Sequence, residues 1–275
     1  MLYFPISKIN LGLYITEKRI DGYHNLETIF YPIPLHDNLE IEISKHDDKP
    51  YQLFSSGNKI EGAANDNIII KVLNALKRDY TIPSLDIHLH KRIPMGAGLG
   101  GGSSDAATFM KALNEMFDLK MSTSEMEERL APIGADCPFF VKSEPCFASG
   151  IGNVFSPITL SLKGYYLVLV KPQDFVSTKD AYSGVVPQKA NIDLREIDKL
   201  PIAEWRLHVR NMFEVSVFKK FPNIAAVKET LYDMGAIYAS MSGSGSTVFA
   251  IFDRKVEGLE KVFSDCFTFQ EQFRA

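Results

Sequence analysis

The chain has 275 residues and a mass of 30.9 kDa, which is long enough for one large domain or two modest ones with substantial cores. Its hydrophobic content of 45% and charged content of 23% are ordinary for a globular protein that works in water. The formal net charge of -4 argues against a broad basic surface, so nucleic acid is not an expected partner.

Neither the first residues nor the apolar runs carry a signal for export or membrane insertion. The start, MLYFPISKIN, lacks a basic region ahead of an apolar core, and the longest apolar candidate, residues 165–170, has the length of a strand. Cys137, Cys146 and Cys266 show no C-x-x-C spacing, which is typical of thiols in a reducing compartment. We therefore expect a cytoplasmic protein with no membrane partner, and the sequence leaves open whether it is a monomer or a homodimer.

The first elements in chain order are predicted to be strands. Residues 6–15 alternate in the period of a half-buried strand, which places Lys8 and Asn10 side by side on one face. Two further strand-like stretches follow at residues 27–31 and 38–44. This order predicts antiparallel β structure at the N-terminus.

Helices and a second set of strands are predicted in the rest of the chain. Asn65 or Asp66 is the expected cap of a first helix, and Ser122-x-x-Glu125 has the pattern of a capping box. After a boundary near residues 150–157, the predicted elements are a strand at 165–171, helical material at 194–220, a helix from 222 to 234, and a strand, glycine turn and strand at 236–252. Two α+β domains fit this order.

The stretch PMGAGLGGGSSDAA, residues 94–107, lies between a strand of alternating pattern and a helix, and it carries five glycines between residues 96 and 102. A strand, glycine loop and helix in this order direct backbone N–H groups and the positive end of the helix dipole at whatever occupies the loop, which favours phosphate. Ser103 or Ser104 is the expected helix N-cap. The strand and the helix on either side argue against a flexible linker. A tight turn without a ligand remains the alternative to a phosphate site.

Common phosphate-loop classes do not fit the glycines. No lysine follows Gly102, so the pattern is not a P-loop. G-x-G-x-x-G matches at Gly96, Gly98 and Gly101, but a helix is predicted where a dinucleotide fold would have its next strand and acidic residue. The protein-kinase motifs H-R-D and D-F-G do not occur in the sequence.

The glycine block does resemble the ATP-binding signature of the GHMP kinases, named for their galactokinase, homoserine kinase, mevalonate kinase and phosphomevalonate kinase members. KINLGLYI, RIDGYHNL, DNIII, GADCPFF and SGSGSTVFAIF resemble further blocks of that family in the same order, so the resemblance covers nearly the whole chain. It implies an α+β protein of the GHMP kinase fold. The expected domains are an N-terminal one similar to ribosomal protein S5 domain 2, residues 1–156, and a C-terminal ferredoxin-like α/β sandwich, residues 157–275.

The resemblance also implies an ATP-dependent small-molecule kinase with Mg²⁺, in which Ser104 is a candidate ligand of the metal. The late glycines Gly243 and Gly245, with Ser244 between them, would lie beside the phosphates, although a simple hairpin turn explains them as well. The residues that the resemblance assigns to ATP are Pro94, Met95, Gly96, Ala97, Gly98, Leu99, Gly100, Gly101, Gly102, Ser103, Ser104, Asn67, Ile68 and Lys91.

Two residues are candidates for the chemistry. Asp136 lies between Gly134 and Pro138, and by resemblance it is the catalytic base; alone, it would more simply cap a local turn. Lys8, by resemblance, belongs to the active site, where an ammonium would offset charge on the transferred group. A solvated strand lysine is the plainer alternative.

Within the family, the DGYH block and KINL resemble a member whose acceptor alcohol carries a cytidine diphosphate group. That likeness assigns the acceptor pocket to Asn10, Tyr23, His24, Thr178 and Tyr182; without it, His24 would be a loop histidine and Tyr182 a core aromatic.

Alternatives of function and of site also remain. A GHMP kinase for another small alcohol, or a nucleotide-binding relative without catalysis, would share most of these blocks. His88 and His90 share a strand face, but no further ligand cluster accompanies them and no zinc site is expected.

Overall fold

The structure is a computed structural model that describes residues 1–46 and 49–274. Within these ranges the chain forms two compact units, and it enters each of them more than once. The predicted domain boundary after residue 156 stays a prediction. The first unit comprises Met1–Ser7, Leu35–Met95 and Gly100–Ser143, and the second comprises Lys8–Pro34, Gly96–Leu99 and Glu144–Ala275.

The strands agree closely with the alternating patterns of the sequence. The three stretches predicted near the N-terminus overlap the second, third and fourth strands, and those predicted in the C-terminal half overlap the ninth, tenth and eleventh. In chain order the strands are β1 (Leu2–Tyr3), β2 (Ile6–Lys18), β3 (His24–His36), β4 (Asn38–Ile43), β5 (Tyr51–Gly57), β6 (Leu85–Lys91), β7 (Cys146–Ser149), β8 (Val154–Pro157), β9 (Tyr166–Lys171), β10 (Tyr238–Met241), β11 (Val248–Phe252) and β12 (Phe267–Gln272).

The longer helices follow the predicted regions, whereas three helices of four or five residues were not predicted. Short 3₁₀ turns occupy Ala64–Asp66 and Leu194–Lys199. No helix in the described part of the chain combines the length and the apolar content that a membrane crossing needs. The α-helices are α1 (Ile68–Leu76), α2 (Gly101–Met116), α3 (Thr123–Leu130), α4 (Phe139–Lys142), α5 (Thr178–Tyr182), α6 (Ile202–His208), α7 (Phe213–Lys220), α8 (Pro222–Asp233) and α9 (Leu259–Val262).

The first unit is built on a sheet of order β1-β4-β6-β5, in which β5 and β6 are parallel and the other pairs antiparallel. The alternation of β6 has its physical basis here, because Leu85, Ile87 and Leu89 are buried while His88 and His90 are exposed. Helix α1 buries an apolar stripe and packs against α2. A buried strand thus ends where the glycine loop begins.

The second unit contains two sheets, of order β2-β3-β7-β8 and β10-β11-β9-β12. Every residue of β10 and β11 is buried, which explains why β11, with the sequence VFAIF, is a continuous apolar run. Helix α8 packs on β10 and β11, and α7 packs on α5 and α8, so that Phe213, Val217 and Leu231 join one buried apolar cluster with residues of the sheet. The hairpin turn between β10 and β11 carries the sequence SGSGS.

The caps of the helices confirm one prediction and correct another. Ser122 caps α3, and its side chain and that of Glu125 form the reciprocal pair of a capping box. The predicted cap of α1 at Asn65 or Asp66 is wrong, because those residues lie in a 3₁₀ turn. The cap is Asn67, whose side chain accepts a hydrogen bond from the Ile69 N–H. Sequence composition marked the region but not the residue.

The predicted cap of α2 at Ser103 or Ser104 is also wrong. The cap residue is Gly100, whose φ of 70° lies in the left-handed region that a glycine adopts without penalty. Helix α2 begins at Gly101, so both serines lie in its first turns. The helix N-terminus therefore reaches further into the glycine loop than the serine pattern indicated.

Candidate active site

The glycine loop owes its composition to its backbone conformation. Gly96, Gly98 and Gly100 have φ values of 58°, 73° and 70°, which L side chains rarely adopt. Space is limiting as well, because a Cβ on Gly98 would lie 2.0 Å from the backbone oxygen of Ser242 in the β10–β11 turn. Glycine is required at this position by conformation and by contact.

Three successive carbonyl groups of the loop are fixed by donors of the second unit. Each carbonyl accepts one hydrogen bond. Two of the three donors are backbone N–H groups, and the third is a hydroxyl. Thr247 N donates to Ala97 O (3.3 Å), Ser242 Oγ to Gly98 O (2.8 Å) and Lys8 N to Leu99 O (3.0 Å).

The fixed carbonyls determine the direction of the loop N–H groups. In a trans peptide the N–H points opposite to the C=O of the same plane, so the N–H groups of Gly98, Leu99 and Gly100 point away from these anchors. Helix α2 starts at the next residue and adds the N–H groups of its first turn. Consecutive N–H groups with no Cβ in the way, followed by a helix N-terminus, are suited to a phosphate chain.

The turn that carries Asp136 packs against the first turn of α2. A Cβ on Gly134 would lie 2.9 Å from Cys137 Sγ, 3.6 Å from Ile68 Cδ1 and 3.8 Å from Ser103 Oγ. Gly134 therefore allows the start of α1, the start of α2 and the Asp136 turn to approach closely. The turn itself is closed by the Cys137 N–H, which donates to the oxygen of Gly134 (3.0 Å).

Cys137 is a buried packing residue between the Asp136 turn and the start of α2. Burial raises the pKa of its thiol to about 11, while a hydrogen bond with Ser103 opposes and the charge of Asp136 supports that shift. A thiol with such a pKa is protonated at neutral pH and is a poor nucleophile. Cys137 is therefore not a candidate nucleophile.

Lys91 ends strand β6 in a buried charge cluster of the first unit. Its ammonium donates to Asp37 and, at 2.6 Å, to Asp105 Oδ2 of helix α2. Asp37 also accepts from the backbone N–H groups of Arg92 and Ile93. The cluster ties the strand before the glycine loop to the helix after it.

This cluster holds two carboxyl groups and one ammonium away from water. Burial raises the pKa of Asp105 to about 8, the charge of Lys91 opposes the shift, and the charge of Asp37 adds to it. Asp105 Oδ1 is buried without a hydrogen-bond partner. At neutral pH the proton on Asp105 makes the cluster electrically neutral, which is the favourable state in a low dielectric.

The second unit contains a buried chain of polar side chains around Lys8. The Lys8 ammonium donates to Asn10 Oδ1 (2.7 Å) and lies 4.9 Å from the centroid of the Phe30 ring. Asn10 Nδ2 donates to Thr28 Oγ1 (3.0 Å) on the neighbouring strand. Lys8 is only 3% exposed, so the alternative of a solvated strand lysine is wrong.

The aromatic residues assigned to the acceptor pocket come together in the second unit. The rings of His24 and Tyr182 are 4.9 Å apart with planes inclined by 31°, and Tyr182 meets Phe213 edge to face at 4.7 Å. Tyr23 is exposed beside His24, and Thr178 is exposed at the start of α5. Phe213 anchors Tyr182 in the core, so this tyrosine has both a packing role and a ring near His24.

Some assigned residues have surroundings that the sequence did not indicate. Lys91 has its ammonium bonded to the carboxyl groups of Asp37 and Asp105, and Ser104 is 1% exposed within α2. Asn67 uses its side-chain oxygen to cap α1. Their assignments to ATP, and that of Ser104 to the metal, stay predictions.

Three buried polar residues near these groups were missed: Thr28, Asp37 and Asp105. Each is within 2% of complete burial. The sequence indicated such a residue only as a polar position in an otherwise apolar stretch, as Thr28 is in TIFY. A single hydroxyl or carboxylate in such a stretch does not reveal its partners, because these come from distant parts of the chain.

Comparison with known proteins now identifies the family. The model for the GHMP kinases N terminal domain matches residues 67–144, and the model for the GHMP kinases C terminal matches residues 193–264. Proteins named 4-diphosphocytidyl-2-C-methyl-D-erythritol kinase are 51% identical in Bacteroides fragilis, with both chains covered completely, and 50% identical in Parabacteroides distasonis, with 99% of both covered.

Solved structures agree with these matches. A crystal structure of 4-(cytidine 5'-diphospho)-2C-methyl-D-erythritol kinase has a TM-score of 0.82 at 28% identity and covers 98% of both chains. The Methanococcus jannaschii mevalonate kinase has a TM-score of 0.71 at 17% identity over 100% of this chain and 98% of its own, a likeness of fold.

The chain belongs to the GHMP kinases, which are ATP-dependent small-molecule kinases. The predicted α+β class and GHMP kinase fold are confirmed. Within that family its full-length relatives at about half identity are the 4-diphosphocytidyl-2-C-methyl-D-erythritol kinases.

The first prediction concerns Gly98. Gly98→Ala is expected to lower the free energy of unfolding by about 2 kcal/mol or more, because it combines left-handed strain with the contact to Ser242. Gly102→Ala is the matched control for stability, since a Cβ there meets only Ile68 Cγ2 at 3.9 Å and alanine favours the helix. Chemical denaturation measures both. Equal stabilities of the two variants would contradict the required geometry.

A second prediction follows from the raised pKa of Asp105. Between its unfolded value and about 8, the folded chain holds one proton that the unfolded chain has released, so wild-type stability falls as pH rises. Asp105→Asn imitates the protonated acid at every pH. The free energy of unfolding of this variant relative to wild type should therefore rise from pH 5 to 8 and then level off. The rise is at most about 1.4 kcal/mol per pH unit. Denaturation across pH tests this, with exposed Asp233→Asn as control; a pH-independent difference would rule it out.

Proposed function

We propose that this protein transfers the γ-phosphoryl group of ATP to the 2-hydroxyl of 4-diphosphocytidyl-2-C-methyl-D-erythritol, in the non-mevalonate route to isoprenoid precursors. One structural observation carries most weight: both candidate catalytic residues are attached to the glycine loop region. Lys8 donates its N–H to Leu99, and the Asp136 turn packs on Ser103 at the start of α2. The full-length relatives supply the identity of the acceptor.

In the proposed reaction the acceptor oxygen forms a bond to the γ-phosphorus as the bond between that phosphorus and the bridging oxygen of ADP breaks. The hydroxyl proton passes to the carboxylate of Asp136. Such a transfer depends mainly on positioning and on neutralising charge, and a base contributes by accepting the proton. The close approach that Gly134 permits keeps Asp136 on the first turn of α2.

Lys8 supplies positive charge in this proposal. Its ammonium is buried and oriented by Asn10 Oδ1, so it needs little reorganisation when charge develops on the transferred group. Its own backbone N–H fixes the Leu99 carbonyl, and thereby the direction of the Gly100 N–H. One residue thus shapes the phosphate loop and contributes a charge.

We assign ATP to the glycine loop and its neighbours. The loop from Pro94 to Ser104 would hold the phosphates, with the Gly243 to Gly245 turn beside them, and Asn67, Ile68 and Lys91 would lie toward the adenine. Mg²⁺ would arrive with ATP, with Ser104 as its candidate protein ligand. In residues 1–46 and 49–274 no group of three His, Cys, Asp or Glu side chains could hold a metal.

The acceptor pocket is proposed to contain Asn10, Tyr23, His24, Thr178 and Tyr182. The neighbouring rings of His24 and Tyr182 offer a flat surface for cytosine, and a polar ring atom can bond the base edge. A small-molecule acceptor also fits the acidic net charge. The expectations of a cytoplasmic protein without nucleic-acid or membrane partners, as monomer or homodimer, stay predictions.

Product analysis tests the proposed function directly. Purified protein is mixed with MgATP and 4-diphosphocytidyl-2-C-methyl-D-erythritol, and the products are examined by mass spectrometry and phosphorus NMR. One ADP should form for each acceptor that gains a phosphoryl group at its 2-hydroxyl. Homoserine, mevalonate and galactose serve as comparison acceptors. Turnover of one of these, and none of the cytidyl substrate, would replace the proposed acceptor.

The third prediction concerns the two catalytic candidates. Asp136→Asn removes the proton acceptor and Lys8→Met removes the charge at similar volume, so each should lower kcat by about a hundredfold or more. Steady-state kinetics measures the loss, and thermal unfolding checks that the variants are folded. Exposed Lys18→Met, on the same strand as Lys8, is the control. Near-normal turnover in either candidate variant would remove that residue from the mechanism.

A fourth prediction concerns the cytidine platform. Tyr182→Ala deletes the ring beside His24 and should weaken cytidine-nucleotide binding by about tenfold or more, in line with the worth of a stacked base. Tyr182→Phe keeps the ring and its contact with Phe213, and should bind nearly as wild type. Calorimetric titration with cytidine diphosphate gives the affinities. Unchanged affinity in the alanine variant would refute the stacking assignment.

A further inference from the structure

We propose that Thr28 is a positioning residue, which fixes the orientation of the Asn10 amide and through it the ammonium of Lys8. This inference rests on the proposed function, in which Lys8 acts on the transferred phosphoryl group. Thr28 lies on β3, beside the strand β2 that carries Lys8 and Asn10. It was not a candidate from the sequence.

The hydrogen bonds run in one line through the second unit. Lys8 Nζ donates to Asn10 Oδ1 (2.7 Å), and Asn10 Nδ2 donates to Thr28 Oγ1 (3.0 Å). Thr28 Oγ1 in turn donates to the backbone oxygen of Gly12 (2.5 Å). The residues Lys8, Asn10 and Gly12 are spaced by two along β2, which is the spacing that repeats on one face of a strand.

The chemistry of the end groups determines the direction of every bond. A hydroxyl has one proton, and the proton of Thr28 is directed to a carbonyl, either that of Gly12 or the more distant one of Ile29 (3.5 Å). Towards Asn10 the threonine oxygen can therefore only accept. Asn10 must present its NH₂ group to Thr28, which leaves its oxygen for the Lys8 ammonium, a group that only donates.

Burial makes the wrong orientation costly. Thr28 is 0% exposed and Asn10 is 2% exposed, so water cannot replace a lost partner. A rotated Asn10 amide would set its oxygen against the threonine oxygen and its NH₂ group against the ammonium. The contact of the NH₂ group with the ammonium would be repulsive, and Thr28 could bond the rotated amide only by turning its proton away from the backbone oxygen of Gly12.

The test compares kinetic effects in two backgrounds. Thr28→Val removes the hydroxyl at similar size and should lower kcat by about tenfold or more with little change in the KM for ATP, because the ammonium is displaced while the phosphate loop is intact. Thr28→Ser keeps the hydroxyl and should recover most of the activity. Thr16→Val, which deletes a hydroxyl that donates to Asn25 O on the same pair of strands, is the matched control.

The decisive comparison is a double-mutant cycle with Asn10→Ala. If Thr28 acts through Asn10, then Thr28→Val should change kcat by less than about twofold once the amide is gone. An equal fold-loss in the two backgrounds, or a serine variant as impaired as the valine variant, would overturn the proposal. A purely structural Thr28 would lower the activity in both backgrounds alike.

A second measurement does not depend on turnover. In ¹H–¹⁵N spectra, the side-chain amide of Asn10 is identified by its absence from the Asn10→Ala protein. Its protons should exchange slowly with solvent in the wild type and in Thr28→Ser, and faster in Thr28→Val. Unchanged exchange in Thr28→Val would refute the orientation. If the wild type fails to phosphorylate the cytidyl substrate, the proposed function falls, and this spectrum still decides the role of Thr28.

Discussion

The constraint on which the site depends is the fixing of three consecutive carbonyl groups in the glycine loop. Donors from Thr247, Ser242 and Lys8 hold the carbonyls of residues 97–99, and planar peptides then fix where the following N–H groups point. Side chains would prevent this arrangement, because positive φ values and the contact of Gly98 with the Ser242 oxygen leave no room for a Cβ. The density of glycine therefore follows from a backbone conformation that only residues without a Cβ adopt at no cost.

Each unit contains a buried lysine ammonium that is held by hydrogen bonds. Lys91 is paired with two carboxyl groups, of which Asp105 takes a proton because of its burial and its neighbour Asp37. Lys8 donates to the amide oxygen of Asn10, and Thr28 accepts from the NH₂ group of the same amide. A buried ammonium whose position is fixed by neighbouring dipoles is suited to interact with phosphate.

The sequence predicted β2, β3, β4, β6, β9, β10 and β11, the longer helices and the family, because alternation and ordered motifs are local properties. It did not predict β1, β5, β7, β8 and β12 or the short helices α4, α5 and α9. It placed Lys8, Asn10 and Asp136 in the proposed site through the resemblance. It failed on the caps at Asn67 and Gly100, since a cap depends on where the preceding turn ends. It gave no indication of Thr28, Asp37 or Asp105, whose partners lie on other elements, for example 54 residues away between Asp37 and Lys91. Long-range pairing of buried polar groups is decided by packing, which periodicity does not encode.

The most direct test of this account is a crystal structure of the protein with Mg²⁺ and a non-hydrolysable ATP analogue. The phosphate oxygens should lie within hydrogen-bond distance, about 3 Å, of the N–H groups of Gly98, Leu99 and Gly100, with the terminal phosphate facing Asp136. A triphosphate bound elsewhere, or loop carbonyls that turn toward the phosphates, would contradict it.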